Sequence, residues 1–212
     1  DVSALFLYVR IVMKPTKAYI LKIDTDISNE YAKYCANSCD AVGLHWEYFR
    51  GWSNCTGRMA WCETGIKMKF HEPMLYVAEP NMHHKANTCS AGHAAIWKKI
   101  AEGEDNVGIV LEHDAIMYYK PDIKIPDNYL ITLGYKLPEL RYDYKEGNKQ
   151  PRKLINIDGH EGAHAYTITK KTASYLVEEI EQKGVLGAVD NAYFIRGQRK
   201  TRMPLLIASS TV

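Results

Sequence analysis

Apolar and polar positions alternate along this chain in two periods. "AYILKI" (18 to 23) and "LHWEYF" (44 to 49) read as strands, and "DISNEYAKYCANSC" between them as a helix opened by Asp26 or Ser28 as cap. That is one βαβ unit. "GWSNCTGRMAWCETGIKMKFHE" (51 to 72) reads as irregular, and "MLYVAE" after it as a possible short strand. In "SAGHAAIWKKIAEG", Ala94, Trp97, Ile100 and Ala101 fall at helical spacing, with Gly103 as a stop. "VGIVLEHD" is a strand whose Val107 to Leu111 run is apolar on both faces, as in an interior parallel strand.

Beyond it come a proline-punctuated loop, the strands "YLITLG" and "AYTIT", and an amphipathic helix, "KKTASYLVEEIEQKG". Its stripe is Ala173, Leu176, Val177 and Ile180, and Gly184 ends it. The polar, tyrosine-bearing stretch from 135 to 153 reads as a long loop, a binding element or flap more than scaffold. Strands alternating with helices predict an α/β fold with a mostly parallel central sheet flanked by helices.

The 212 residues, 46% hydrophobic and 25% charged, suffice for one domain with its own core. We read 1–212 as that domain, with a nucleotide-binding half at 17–120 and an acceptor-side half at 121–212. A formal net charge of +2, with Lys and Arg scattered, gives no reason to expect a nucleic-acid partner. Cys35, Cys39, Cys55, Cys62 and Cys89 form no CxxC pair and are odd in number, which points to a reducing, cytoplasmic setting. Arg10 interrupts the first apolar run, so no transmembrane segment or signal peptide is expected, and residues 1 to 12 read as an extension.

The chemistry concentrates in Glu112-His113-Asp114, at the carboxyl end of that interior strand. Ligands of open α/β sheets bind there. If strand geometry persists, Glu112 and Asp114 share a face and can share a divalent cation, with His113 turned the other way. The alternative is a solvated turn.

A second motif competes. "HEGAH" (His160 to His164) satisfies the H-E-x-x-H pattern of zinc metallopeptidases, with Glu178 or Glu179 as a conceivable third ligand. Gly162 inside it and the strand "AYTIT" after it oppose the helix that chemistry requires.

The segment "CSAGHAAIWKKIAEGEDNVGIVLEHDAIM" resembles glycosyltransferase family 25, where a Cys-x-x-Ser-His-x-x-x-Trp helix leads into a strand ending Leu-Glu-Asp-Asp. Cys89, His93, Trp97 and Leu111 to Asp114 carry that likeness. "GAHAYTITKKTASYLVEEI" is similar to the family's Gly-Thr-His-Ala-Tyr strand and helix, "GAVDNAYF" to its Pro-Val-Asp block, and "AYILKIDTDISNE" to its first strand. The likeness spans roughly residues 17 to 196. His113 replaces the central acid of the triplet, and Thr25 stands where an Arg is expected.

The resemblance implies a GT-A-like fold and inverting transfer of a hexose from UDP-galactose or UDP-glucose to a glycan or other acceptor hydroxyl, with Mn²⁺ or Mg²⁺. It implies a DXD-like metal set of Asp114, Glu112 and His113, and donor contacts from Asp24, Glu112 and His164. Asp190 is the implied base, with a helix N-cap as its other reading. His160 and Asp158, in the adjoining loop, are left open between donor and acceptor. Aromatics of 46 to 52 and 135 to 144 are candidates for stacking on base or sugar. A non-catalytic nucleotide-sugar-binding domain is the remaining alternative.

Overall fold

The computed structural model describes residues 12–68, 80–122, 125–126, 130–133, 155–156, 162–184, 188–189 and 205–207. It is an α/β structure with nine strands and four helices among these residues. The strands are β1 (Val12–Met13), β2 (Lys17–Lys22), β3 (His45–Arg50), β4 (Val107–Glu112), β5 (Ile125–Pro126), β6 (Leu130–Thr132), β7 (Ile155–Asn156), β8 (Ala165–Thr169) and β9 (Leu205–Ile207). The helices are α1 (Asp26–Ala41), α2 (Gly57–Glu63), α3 (Pro80–Glu102) and α4 (Lys170–Lys183).

Seven strands form one sheet in the order β3-β2-β4-β8-β6-β9-β7, while β1 and β5 pair separately. Both neighbours of β2 are parallel to it, with Leu21 opposite Phe49 on one side and Glu112 on the other. β8 runs antiparallel between β4 and β6. The parallel trio therefore brings three carboxyl ends to one edge.

Strand alternation divides the core into two layers. Ala18, Ile20, Ile109 and Leu111 pack with Ala32, Cys35, Ala36 and Cys39 of α1. Tyr19, Leu21 and Val110 face the other way and pack with α2, α3 and α4 through Trp61, Ile96, Trp97 and Leu176. Each aliphatic side chain so buried contributes roughly 1.5–3 kcal/mol. Glu112 continues the Val110 face, so its side chain is delivered to α3 and away from α1.

Three local expectations are corrected. α1 is capped by Thr25, whose hydroxyl accepts from the Ser28 N–H, instead of by Asp26 or Ser28. The Ser28 hydroxyl accepts from the Ile23 N–H, tying the turn back to β2. The stretch taken as irregular contains α2, capped by Thr56 in the same way, and α3 begins ten residues before the apolar periodicity announces it. α4 follows expectation, with Thr169 as cap and Gly184 at φ 79 closing its end. "MLYVAE" and the 135–153 loop lie outside the described residues, and no described helix is long and apolar enough to cross a membrane.

Candidate functional site

A cleft of about 890 Å³ opens outside the carboxyl ends of β2, β3 and β4. Leu21, Ile23 and Thr25 come from the first strand and its helix cap, Gly51 and Trp52 from the end of β3, and Glu112 and His113 from the end of β4. Thr56 and Met59 of the α2 turn close one side, and Lys85, Thr88 and Cys89 of α3 another. Trp52 is held by its indole N–H, which donates to the Glu63 carboxylate at 2.6 Å.

Glu112 is the best-fixed ionisable group of this cleft. Its backbone N–H donates to the His164 carbonyl at 2.8 Å, and its own carbonyl accepts from Ala115 at 3.0 Å, which ends the strand in a turn. Its Oε1 lies 3.3 Å from His93 Nε2 and 3.8 Å from Cys89 Sγ. On the far side of that imidazole, Nδ1 is 2.8 Å from the Tyr166 hydroxyl, which also accepts from the Trp97 indole N–H at 2.7 Å. His93, Trp97 and Tyr166 are fully buried, whereas the Glu112 side chain keeps 28% of its surface exposed, toward the cleft.

The electrostatics agree from both ends. Burial raises the Glu112 carboxyl, but the His93 bond and charge, with His164 and His113 behind them, outweigh it and hold the pKa below the usual value. Burial also disfavours charge on His93, yet Tyr166, Cys89 and Glu112 around it lift its pKa well above the ordinary imidazole value. Both directions favour the ionised pair. Burial raises the Tyr166 pKa, against the lowering effect of His93 and of the Trp97 bond.

The acidic triplet does not keep the alternation its sequence suggests. β4 stops at Glu112, and His113 and Asp114 lie in the turn. Glu112 and His113 therefore line the cleft together, while Asp114 is exposed outside that lining. Asp114's charge acts on Cys35 of α1, whose pKa rises first through its bond to Cys39, then burial, then Cys39 and Asp114. Glu112 thus faces the cleft and α3, and Asp114 is not among the residues that line it. His113 settles at the cleft, with its ring 6.3 Å from that of Tyr31 on α1.

Of the other sequence candidates, His164 lies beside Glu112 through its carbonyl and its charge. Asp24 is exposed beside the cleft-lining Ile23 and Thr25. Asp190, Asp158 and His160 are outside the described residues. Of "HEGAH", His160 and Glu161 lie outside the described residues, while Gly162 has φ 94 and His164 leads directly into β8, so the described part of the motif is not helical. Trp52 falls among the aromatics of 46 to 52 expected to stack, whereas Lys85 and the grouping of Cys89 with His93 were missed from the sequence. For the last, the signal was present as a spacing of four on one helix.

Glu112 and His113 offer an oxygen and an imidazole at the cleft, a donor chemistry that fits a divalent cation such as Mn²⁺. All five cysteines are free thiols.

No family model and no curated protein sequence matches the chain. Among solved structures, it is similar to galactosyltransferase LgtC in complex with donor and acceptor sugar analogs, at 15% identity and TM-score 0.39 over 74% of this chain and 58% of that one. An active-site mutant of LgtC gives 14% and 0.41, over 84% and 70%. The chain thus spans just under three fifths of the first of these structures. At such values, function rests on this chain's own site.

Proposed function

We propose that this protein is a glycosyltransferase of the family 25 type, transferring galactose or glucose from a UDP-sugar to an acceptor hydroxyl with inversion. The observation that carries the proposal is the cleft at the carboxyl ends of the parallel trio, with the Glu112 carboxylate and His113 at its wall. That wall is where the sequence motif of the resemblance falls.

In this reading Lys85 meets the donor diphosphate, and Trp52, held by Glu63, offers its ring to the base or sugar. Glu112 and His113 would hold Mn²⁺ or Mg²⁺, with Asp24 and His164 flanking the donor. When bound, the cation stabilises the charge that develops on the leaving diphosphate. Asp190 takes the acceptor's proton. Fixing Glu112 through His93 keeps the wall preorganised, so it does not reorganise as charge develops.

The test is a donor-hydrolysis assay over UDP-galactose and UDP-glucose, with and without Mn²⁺, alongside melting temperature. Metal-dependent hydrolysis, together with a donor-dependent rise in Tm that His113→Ala diminishes, is expected. No Tm shift with any nucleotide sugar would sink the proposal. Binding without hydrolysis would instead identify a nucleotide-sugar-binding domain.

A further inference from the structure

α3 and β4 assemble a group of metal-ligand type whose composition differs from that of the acidic triplet. Cys89 and His93 stand four residues apart on α3, and Glu112 meets them from the end of β4. The Cys89 sulfur, a His93 ring nitrogen and a Glu112 oxygen all lie within 4.8 Å of one another. We propose that Cys89, His93 and Glu112 form a zinc-binding site whose fourth position opens onto the cleft.

The separations suit that ion. Zinc bonds of about 2.0–2.1 Å to nitrogen and oxygen and about 2.3 Å to sulfur, at tetrahedral angles, set ligand atoms roughly 3.3–3.6 Å apart. The observed Nε2 to Oε1 distance is 3.3 Å and the Sγ to Oε1 distance 3.8 Å. Two of the three edges thus lie within a few tenths of an ångström of the tetrahedral values, and the third, from the Cys89 sulfur to a His93 ring nitrogen, is within 4.8 Å.

The surroundings supply what a zinc histidine needs. Nδ1 of His93 faces the Tyr166 oxygen at 2.8 Å, and the Trp97 N–H fixes that oxygen from behind. A proton on Nδ1, donated to Tyr166, leaves the Nε2 lone pair for the metal, and such an outer partner orients ligating imidazoles generally. Binding displaces the Nε2 proton of His93 and the thiol proton of Cys89, both of which leave to solvent. With Cys89 and Glu112 both lining the cleft, the remaining position faces the space where a substrate oxygen or water would lie. Three protein ligands and one open position is the arrangement of catalytic zinc, and a thiolate in the set favours zinc over manganese or magnesium.

This inference does not depend on the transferase reading, and it is tested without nucleotide sugar. The purified full chain is loaded with Zn²⁺ or Co²⁺ under reducing conditions, dialysed, and assayed for bound metal and for a thiolate-to-cobalt charge-transfer band. One ion per chain is expected, with a band that is lost in Cys89→Ala, retained in Asp114→Ala and resistant to a roughly tenfold excess of Mn²⁺. Glu112→Gln, which keeps the shape of the buried wall, is expected to lose the metal while its far-ultraviolet circular dichroism is unchanged. A band that survives Cys89→Ala would assign the thiolate to another cysteine and overturn the site, as would wild-type chain that takes up no zinc.

Discussion

His93 Nε2 stands 3.3 Å from Glu112 Oε1, joining the middle of α3 to the carboxyl end of β4 at the wall of the cleft. The imidazole is fully buried, and the carboxylate, partly exposed, lines the cleft. A charged pair in such a place is costly to break, because removing one partner leaves the other charge without compensation. His93→Ala is therefore expected to destabilise the fold by about 3–5 kcal/mol, measured by urea denaturation. A loss below about 1 kcal/mol would show that the pair does not hold the wall.

Tyr166→Phe probes the same wall from behind. Loss of the hydroxyl removes the acceptor of the Trp97 N–H and the neighbour of His93 Nδ1, both fully buried. The expected cost is about 1–3 kcal/mol per group left unsatisfied, read as a fall in the denaturation midpoint. Unchanged stability would mean that these groups find other partners.

Gly108 of β4 packs tightly under Ile100 of α3. A Cβ there would lie 2.4 Å from Ile100 Cδ1 and 3.2 Å from the Tyr19 ring, both buried. Gly108→Ala is expected to cost about 1–3 kcal/mol through overpacking. A thermal melt matching that of wild type would show the layer can open without loss.

Thr25 fills, as a helix cap, the position where the family resemblance calls for Arg. Thr25→Ala removes the acceptor of the Ser28 N–H and is expected to cost about 1 kcal/mol. Thr25→Ser restores the acceptor, so its melting temperature should return most of the way to wild type. Equal losses in both variants would assign the effect to packing instead of capping.

Glu47 gives the pH dependence. Burial raises its carboxyl, but bonds from Lys17 and Lys99 outweigh that and leave the pKa lowered. Nζ of the two lysines lies 2.8 and 2.6 Å from its oxygens. Because the folded carboxyl is the stronger acid, its contribution is complete above the unfolded pKa of about 4.3 and fades as pH falls through the folded value. With about a third of each side chain or more in solvent, the contribution is roughly 0.5–1 kcal/mol. Glu47→Gln should lower the urea midpoint at pH 7 and have little effect near pH 3; an equal effect at both values would remove electrostatics as its cause.

The sequence by itself determined the α/β alternation, the βαβ opening, the apolar β4 and the amphipathic α4, because periods of 2 and 3.6 are properties of neighbouring residues. It also pointed to Glu112 at a strand end, since an apolar run that stops at three ionisable groups is a local pattern. What the tertiary structure alone decided was which groups meet there. Glu112 follows the Val110 face onto α3, where Cys89, His93 and, through them, Tyr166 of a strand late in the chain surround it. Asp114, two residues on, is carried out of the cleft lining by a turn that a count of alternating positions cannot foresee. The reversal of β8, which brings Tyr166 and His164 beside the end of β4, likewise depends on pairing across dozens of residues. Such contacts are set by sheet order and helix packing, and no local window of sequence contains them.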